Sequence, residues 1–309
     1  MKKKVALPLK IVSTLVITGL LALGYSYFIE PRRLVVNEQT IEIAGWDSAL
    51  DGFKIVAIGD IHGGSHAVDE EKLRELVNLA NAQQPDLIVL LGDYVAHGGG
   101  SMPDNVRRIK MTVETIAANL AGFTARYGVI AVMGNHDDWY DGDEVSNSLR
   151  NDSYTVLADE ITTIDHNGKP IRILGSKDQL HIESWRPYSD RLKEVIARDG
   201  GSGPIIVLEH SPDVLPIITG DLLISPDLKL ILAAHTHGGQ VWLPLIGAPI
   251  VPSSYGQKYS YGHVQENGVD MFVTSGVGTS ILPFRFMMPP EIAVLTLRSR
   301  NNHAAIWER

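Results

Sequence analysis

The chain has 309 residues, of which 44% are hydrophobic and 20% charged, and it contains no cysteine. This is the composition of an ordinary globular protein, so a disordered or collagen-like chain is excluded, and the lack of cysteine excludes a disulfide framework, a catalytic thiol, a zinc–cysteine site and an iron–sulfur cluster. The formal net charge of −9 argues against nucleic acid as a partner, because phosphate backbones are bound by basic surfaces.

The N-terminal residues 1–33 differ from the rest of the chain in charge and hydropathy. They hold six basic residues against one acid, which gives +5 and leaves −14 on residues 34–309. Residues 11–29 are 19 positions without a charge, long enough to cross a bilayer as a helix. Tyr25, Tyr27 and Phe28 suit the membrane interface, where aromatic rings collect. We predict a single-pass membrane anchor over residues 1–33.

Two other interpretations of this leader stay open. The segment Ala-Leu-Gly at residues 22–24 is a passable cleavage site for a signal peptide, and the leader could instead be a buried amphipathic part of the domain that follows. Four lysines precede the span, and Arg32 and Arg33 follow it. By the positive-inside rule this favours an external domain, although the two arginines weaken the difference.

After a lead-in segment at residues 34–50, short apolar runs alternate with amphipathic ones, which predicts one domain of mixed sheets and helices over residues 51–309. Short β-branched and aliphatic runs between turn residues are typical of strands buried on both faces of a sheet. Strands are predicted at residues 54–59, 86–91, 128–133, 204–208, 228–233, 268–273 and 292–297. Period-2 stretches over residues 154–174, with an Asn-Gly turn, predict hairpin strands. Helical spacing of apolar residues predicts helices over residues 69–83 and 103–121.

Each of the first five predicted strands outside the hairpin is followed by polar side chains. In chain order they are Asp60 and His62, then Asp93, then Asn135 and His136, then His210, and finally His235 and His237. Ligands of open α/β sheets bind at the carboxyl ends of strands, so these clusters can converge on one site. Asp-x-His and His-x-His place two side chains on the same face of an extended segment. Oxygen and imidazole ligands without sulfur suit Mn²⁺, Fe or Zn²⁺.

Taken singly, each cluster is a weak signal, because a Gly-Asp pair is usually a turn and a lone His-x-His usually lies on the surface. Five clusters in order, each at a strand end, are much harder to produce by chance. The remaining six histidines are expected to be surface or loop residues, although His66 and His97 lie close to the first two clusters and could line the rim of the site. The six are His66, His97, His166, His181, His263 and His303.

The order D-x-H, G-D, G-N-H-D, H and H-x-H-G-G-Q resembles that of the calcineurin-like metallophosphoesterases, over about residues 53–291. The resemblance implies an α/β fold of two packed mixed β-sheets flanked by helices, with two divalent metal ions at the strand ends. It implies Asp60, His62, Asp93 and His237 as ligands of one ion, and Asp93, Asn135, His210 and His235 as ligands of the other. His136 would be a non-ligand histidine facing the substrate. Ala234 stands where the family usually has glycine, and we expect little loss unless its φ is positive.

Two divalent cations about 3.5–4 Å apart activate water and bind phosphoryl oxygens for in-line attack. We expect His136 to stabilise the developing charge or to protonate the leaving group. Asp137 or Asp138 could orient His136, or could belong to a solvated turn. Arg285 is a candidate contact for phosphate, since a guanidinium binds such oxygens bidentately, with a structural ion pair as the alternative.

The leader, residues 235–240 and the tail over residues 276–292 resemble a narrower bacterial branch, which includes enzymes that cleave the pyrophosphate of UDP-2,3-diacylglucosamine in lipid A synthesis. We therefore expect a membrane-tethered hydrolase of an amphipathic phosphate or pyrophosphate at the bacterial cytoplasmic membrane, with a lipid A precursor as the leading candidate. The alternatives are an extracytoplasmic phosphatase or phosphodiesterase acting on envelope or nutrient phosphates, and a catalytically silent binding scaffold. The branch resemblance puts the active site toward the cytoplasm, whereas the charges around the span put the domain outside.

Overall fold

A computed structural model describes residues 6–96, 109–178, 182 and 184–300 of the chain. Its helices are α1 (Ala6–Phe28), α2 (Glu70–Ala82), α3 (Val113–Leu120), α4 (Asn135–Asn151), α5 (Trp185–Asp199) and α6 (Leu215–Thr219). Its strands are β1 (Val35–Ile43), β2 (Lys54–Ile58), β3 (Leu87–Leu91), β4 (Val129–Val132), β5 (Thr155–Val156), β6 (Glu160–His166), β7 (Lys169–Gly175), β8 (Ile205–Leu208), β9 (Leu228–Ala233), β10 (Gly262–Glu266), β11 (Val269–Val273) and β12 (Glu291–Ser299).

The strands form two mixed six-stranded sheets. The first sheet has the order β1-β12-β2-β3-β4-β5, in which β2 to β5 are parallel neighbours and β12 runs antiparallel to β2. The second has the order β10-β11-β9-β8-β7-β6, with parallel pairing from β11 to β7 and antiparallel strands at both edges. The predicted fold of two mixed sheets flanked by helices is confirmed.

Side-chain alternation along the strands divides the interior into three apolar layers. In β2, Ile55 and Ala57 point into the layer between the sheets, while Val56 and Ile58 pack with residues of α2, α3 and α4 on the outer face of the first sheet. A third cluster packs α5 and α6 on the outer face of the second sheet. Burial on both faces explains why these strands are continuous apolar runs and why they could be read from the sequence.

Helix boundaries and the lead-in segment differ from the predictions in part. The helix predicted over residues 103–121 begins at Val113, because Thr112 caps it by accepting a hydrogen bond from the amide of Thr115; residues 109–112 are not helical, and residues 103–108 lie outside the described part of the chain. Residues 34–50 contain β1, which pairs in parallel with β12 at the edge of the first sheet. Strand β1 lacks the apolar alternation of a half-buried strand over its first six residues, which are exposed or half-buried. Helices α4 and α5 were not predicted.

Helix α1 stands clear of the domain along most of its length. The segment Lys10–Arg32 is long and apolar enough to cross a membrane, and nearly all of its apolar stretch is exposed. This contradicts the interpretation as a buried leader, since Leu15, Leu20 and Leu21 are all exposed. The last turn of α1 does contact the domain, because the carbonyl of Ser26 accepts a hydrogen bond from the amide of Arg285 at 3.0 Å.

Candidate metal centre

The carboxyl ends of β2, β3, β8 and β9 and the start of α4 meet at one edge of the two sheets, and all the polar clusters that follow the strands converge there. Three groups of side chains have ligand atoms within 4.8 Å of one another. They are Asp60 with His62 and His237, His62 with Asp93 and His136, and Asp93 with His210 and His235. Asn135 joins the last group, since its Oδ1 lies 3.1 Å from His210 Nε2. The structure therefore brings together every residue that the sequence singled out as a metal ligand.

Asp93 lies between the two halves of the centre. Its Oδ2 is 3.5 Å from His62 Nε2 and 3.3 Å from His210 Nε2. On the far side of His62, His237 Nε2 is 3.2 Å away, and it lies 3.7 Å from Asp60 Oδ1. The Asp93 carboxylate therefore has histidines of both groups beside it, as a carboxylate that bridges two cations would.

Backbone carbonyls orient two of the rings. His62 Nδ1 lies 3.2 Å from the carbonyl oxygen of Val95, and His210 Nδ1 lies 2.7 Å from that of Leu91. An Nδ1–H that donates to a carbonyl leaves Nε2 pointing into the centre, as in metal-binding histidines whose other nitrogen is fixed by a backbone acceptor.

The donor set fits divalent cations. Burial lowers the pKa of His62 and of His235 to about 3, so both rings are neutral at pH 7 and keep a lone pair. Among the described residues, no hydrogen-bond partner reaches His237 Nδ1 or Asp60 Oδ2, although both atoms are buried. Buried polar groups without partners are costly, and the centre-facing atoms of the same two side chains, His237 Nε2 and Asp60 Oδ1, lie 3.7 Å apart, where both could bind one cation.

The two carboxylates of the centre have opposite pKa shifts. Burial, reinforced by the charge of Asp93, raises the pKa of Asp60 to about 7. At Asp93, burial acts in the same direction, but the neighbouring rings of His210, His136 and His62 together outweigh it and hold the pKa of Asp93 well below its usual range. Asp93 is therefore ionised at neutral pH, as a bridging ligand must be.

Backbone strain is concentrated at this edge. Five candidate ligands have a positive φ although none is glycine: Asp60 (48°), His62 (46°), Asp93 (58°), His235 (69°) and His237 (52°). Each such residue costs about 1–3 kcal/mol and persists only where the surroundings enforce it, typically at functional sites. The family's glycine at position 234 is not needed for conformational reasons, since Ala234 is not among the positive-φ residues, and its Cβ occupies space left by Gly59.

His136 lies at the mouth of the centre. Its backbone amide donates to Asp93 Oδ1 at 2.8 Å, while its ring Nε2 is 3.9 Å from Asp93 Oδ2 and 3.5 Å from Ser280 Oγ. The ring packs on Trp139, with centroids 4.9 Å apart, and its side chain stays 14% exposed. It can therefore reach both Asp93 and a ligand arriving from solvent.

Asp137 holds the backbone of the loop that carries Asp93. Its carboxylate accepts hydrogen bonds from the backbone amides of four residues at 2.8–3.1 Å: Asp93, Tyr94, Val95 and Gly134. These contacts fix the loop after β3 against the start of α4, so Asp137 positions the backbone of Asp93. Burial and the charge of Asp93 raise the pKa of Asp137 to about 8.

Arg285 is not available to a phosphate, which contradicts the expected contact. The side chain is fully buried, and its guanidinium donates to the carbonyl oxygens of Ser275, Gly276, Gly278 and Met288. Burial lowers the pKa of Arg285 to about 10, against the opposing charges of Asp60 and Glu291. Arg285 therefore holds the loop after β11 in place behind Asp60. A lone arginine in a loop gave no sequence signal that separates these roles.

The other histidines that the structure describes lie away from the centre. His66 contacts α1 instead of the metal cluster, with its Nε2 2.7 Å from the carbonyl oxygen of Tyr27. His166 packs between Phe53 and Tyr127, and His263 pairs with Asp270. His97, His181 and His303 lie outside the described residues. Ser280, which faces His136, was missed because nothing in the sequence marks a serine 144 positions away as its neighbour.

Residues 53–239 match the family described as calcineurin-like phosphoesterase. The uncharacterized metallophosphoesterase YkuE of Bacillus subtilis is 32% identical over 281 residues, which is 90% of each chain. Phosphodiesterase YaeI of Escherichia coli is 26% identical over 89% of this chain and 92% of its own. A transmembrane protein with metallophosphoesterase domain from Danio rerio is 26% identical over 93% of this chain and 62% of its own.

Proposed function

The chain belongs to the calcineurin-like phosphoesterase family and is a metal-dependent phosphoester hydrolase, and from this we propose that it is tethered to a membrane and cleaves a phosphate ester or pyrophosphate bond of an amphipathic substrate. The observation that carries the catalytic part is the position of Asp93 between two groups of buried nitrogen and oxygen ligands. The tether is supported by the exposed apolar helix α1 and by a relative that is named a transmembrane protein.

Calcineurin-like phosphoesterases use two divalent metal ions, and the Asp and His groups of this chain are candidates to hold them. Such a pair of ions supplies an activated water and neutralises charge on the phosphoryl oxygens. We assign Asp60, His62, Asp93 and His237 to one ion and Asp93, Asn135, His210 and His235 to the other. Mn²⁺, Fe and Zn²⁺ all suit this set of imidazole and oxygen ligands.

We assign the proton transfer to His136. Its ring lies on the open side of Asp93, with Ser280 Oγ within reach of Nε2 and Trp139 against its face. A protonated ring in this position can stabilise charge on the phosphoryl group or deliver a proton to the leaving oxygen. Asp137 acts indirectly as a positioning residue, because it fixes the loop that carries Asp93.

The leading substrate candidate is a lipid A precursor of the UDP-2,3-diacylglucosamine type, acted on at the bacterial cytoplasmic membrane. A phosphatase or phosphodiesterase of envelope or nutrient phosphates is the alternative, and the relative named a phosphodiesterase favours it. A silent scaffold is disfavoured, since every candidate ligand is present and converges with the others. A reporter fused after Arg309 would give the side of the membrane that the domain faces, which separates the first two candidates.

The catalytic proposal is tested with Asp93→Ala in the full-length protein. We expect it to abolish metal-dependent hydrolysis of bis(para-nitrophenyl) phosphate and to lower the bound metal below two ions per chain, because Asp93 is assigned as a ligand of both ions. Glu194→Ala, at an exposed position on α5, is the matched control and should leave both readings unchanged. Hydrolysis that survives in Asp93→Ala would overturn the dinuclear assignment.

A further inference from the structure

Two loops beside the metal centre expose large apolar side chains. Leu245 is fully exposed and Ile281 is 92% exposed. Five of these side chains, each more than one third exposed, form a set that we call the apolar rim: Trp242, Leu245, Ile246, Ile281 and Leu282. A cluster of this kind next to a functional site marks a surface that something else covers.

The two loops of the apolar rim are joined to each other by hydrogen bonds. The Gln240 side chain accepts from the amide of Ser280 at 2.6 Å and donates to its carbonyl oxygen at 2.9 Å. The amide of Trp242 donates to the carbonyl of Phe286 at 2.8 Å, and the amide of Phe286 donates to the carbonyl of Gln240 at 2.9 Å. The stems of the two loops are therefore held together beside the metal centre.

The residues at the tips of the two loops are unusual for their backbone conformation. Ile281 has a φ of 61° and Leu245 a φ of 71°, in the left-handed region that favours glycine or asparagine. A β-branched isoleucine is especially unfavourable there, and its side chain is not buried by the fold. Neither backbone preference nor packing within the chain explains these apolar side chains. A contact with something outside the chain must therefore explain them.

The same loops connect the rim to the end of α1. The amide of Arg285 donates to the carbonyl of Ser26 at 3.0 Å, and the rings of Tyr27 and Phe284 have centroids 5.5 Å apart. The apolar rim therefore begins close to the point where helix α1 meets the domain. If α1 crosses a bilayer, the apolar rim lies close to the surface of that bilayer.

On its other side the apolar rim borders the metal centre. Ser280, next to Ile281, lies 3.5 Å from the ring of His136, and Gln240 follows His237 by three residues. Arg32 and Arg33 follow α1 and are exposed, so they add two cations of the kind that anionic headgroups attract. The anchor, the rim and the metal centre are therefore neighbours in that order.

We infer that the apolar rim inserts into the bilayer that α1 crosses, so that the metal centre opens onto the membrane surface and takes its phosphate from a lipid headgroup. The inference rests on the proposed function for the tether and for the hydrolysis. In addition to the tether, a second segment that is far from α1 in sequence holds the active site against the lipid.

The lack of cysteine in the chain allows a direct test by single labels on the full-length protein. Leu245→Cys and Ile281→Cys are labelled with an environment-sensitive fluorophore in vesicles of phosphatidylethanolamine and phosphatidylglycerol. We expect quenching by nitroxides on the lipid chains and an iodide quenching constant several-fold below that of the control. The control is Leu223→Cys, an exposed leucine just before β9, at the end of that strand opposite His235.

A label at Leu20→Cys in α1 separates this inference from the tether itself. Protection from iodide at position 20, with positions 245 and 281 as open as position 223, would overturn the rim contact and leave the tether standing. Exposure at position 20 as well would remove the tether and the rim contact together. Protection from iodide without quenching by lipid nitroxides would mean that a protein or a second copy of the chain covers the rim, which also overturns the inference.

Hydrolysis gives a second reading that does not depend on labels. In the variant Leu245→Asp/Ile246→Asp, cleavage of bis(para-nitrophenyl) phosphate in solution should persist, because neither residue belongs to the metal centre. Cleavage of para-nitrophenyl hexadecyl phosphate held in the vesicles should fall several-fold relative to it. An unchanged ratio of the two rates would overturn the inference, whereas loss of both rates in Asp93→Ala concerns only the metal centre.

Discussion

The metal centre and the apolar rim depart from ordinary protein architecture in opposite directions. At the centre, Asp60, Asp93 and His210 are almost completely buried, although polar and charged groups are expensive to remove from water. At the rim, Leu245 and Ile281 are almost completely exposed. Both regions also force non-glycine residues to positive φ. Such inverted polarity combined with strain indicates a surface that is completed by something other than the chain.

The two regions are held by different means. The residues of the centre follow buried strands of two sheets, and their loops are tied down by backbone contacts such as those of Asp137. The rim is held by Gln240 and a few backbone hydrogen bonds between two loops. Changes at the centre should therefore alter the chemistry, whereas changes at the rim should alter where the chemistry takes place.

The largest expected effect within this comparison is that of His136→Ala. The ring lies where the centre opens toward the rim, and loss of a general acid typically lowers turnover by about 10²–10⁴-fold. We expect kcat for bis(para-nitrophenyl) phosphate to fall by this amount while metal analysis still finds about two ions per chain.

Metal content decides the role of His136, because its ring also lies within the group formed by His62 and Asp93. Loss of one ion in His136→Ala would make it a ligand and move the boundary of the centre outward to the rim. Trp139→Phe is a suitable control, since it keeps an aromatic ring against His136 and should change kcat far less.

The sequence predicted the centre better than its surroundings, for a physical reason. Strands such as β2 and β3 are buried on both faces, so they are continuous apolar runs and the polar residues after them stand out. The edge strand β1 lacks such a run, because its first six residues are exposed or half-buried. The role of Arg285 depends on carbonyl groups of its own loop, which composition does not encode. The rim was missed because exposed apolar residues in loops are visible only once burial is known.

Arg285 connects the two regions, and its substitution should have the next largest effect. Its guanidinium lies behind Asp60, while Ile281 and Leu282 belong to the loop that it fixes. Arg285→Met would leave several buried carbonyls unsatisfied and remove a buried charge, at a cost of about 3–5 kcal/mol in the free energy of unfolding. We expect a clear fall in Tm.

The control for this substitution is Arg198→Met, which removes an exposed arginine paired with Glu194 and should leave Tm nearly unchanged. If Arg285 contacted the substrate phosphate, its substitution would instead raise KM without lowering Tm. That result would contradict the structural role assigned to its buried hydrogen bonds.

The smallest expected effect concerns the tight closure of the two sheets at the centre, which the rim lacks. A Cβ on Gly59 would collide with the Cβ of Ala234, and neither residue has a positive φ that would itself forbid a side chain. Gly59→Ala should therefore overpack this edge and lower the free energy of unfolding by about 1–3 kcal/mol, while Ala234→Gly alone should lower it by about 1 kcal/mol or less.

The double variant Gly59→Ala/Ala234→Gly moves the methyl group to the opposite strand end and should recover most of the Tm lost in Gly59→Ala. Thermal unfolding of the four proteins measures the coupling directly. Purely additive losses would mean that the two sheets do not close against each other at this point, and that the centre is packed as loosely as the rim.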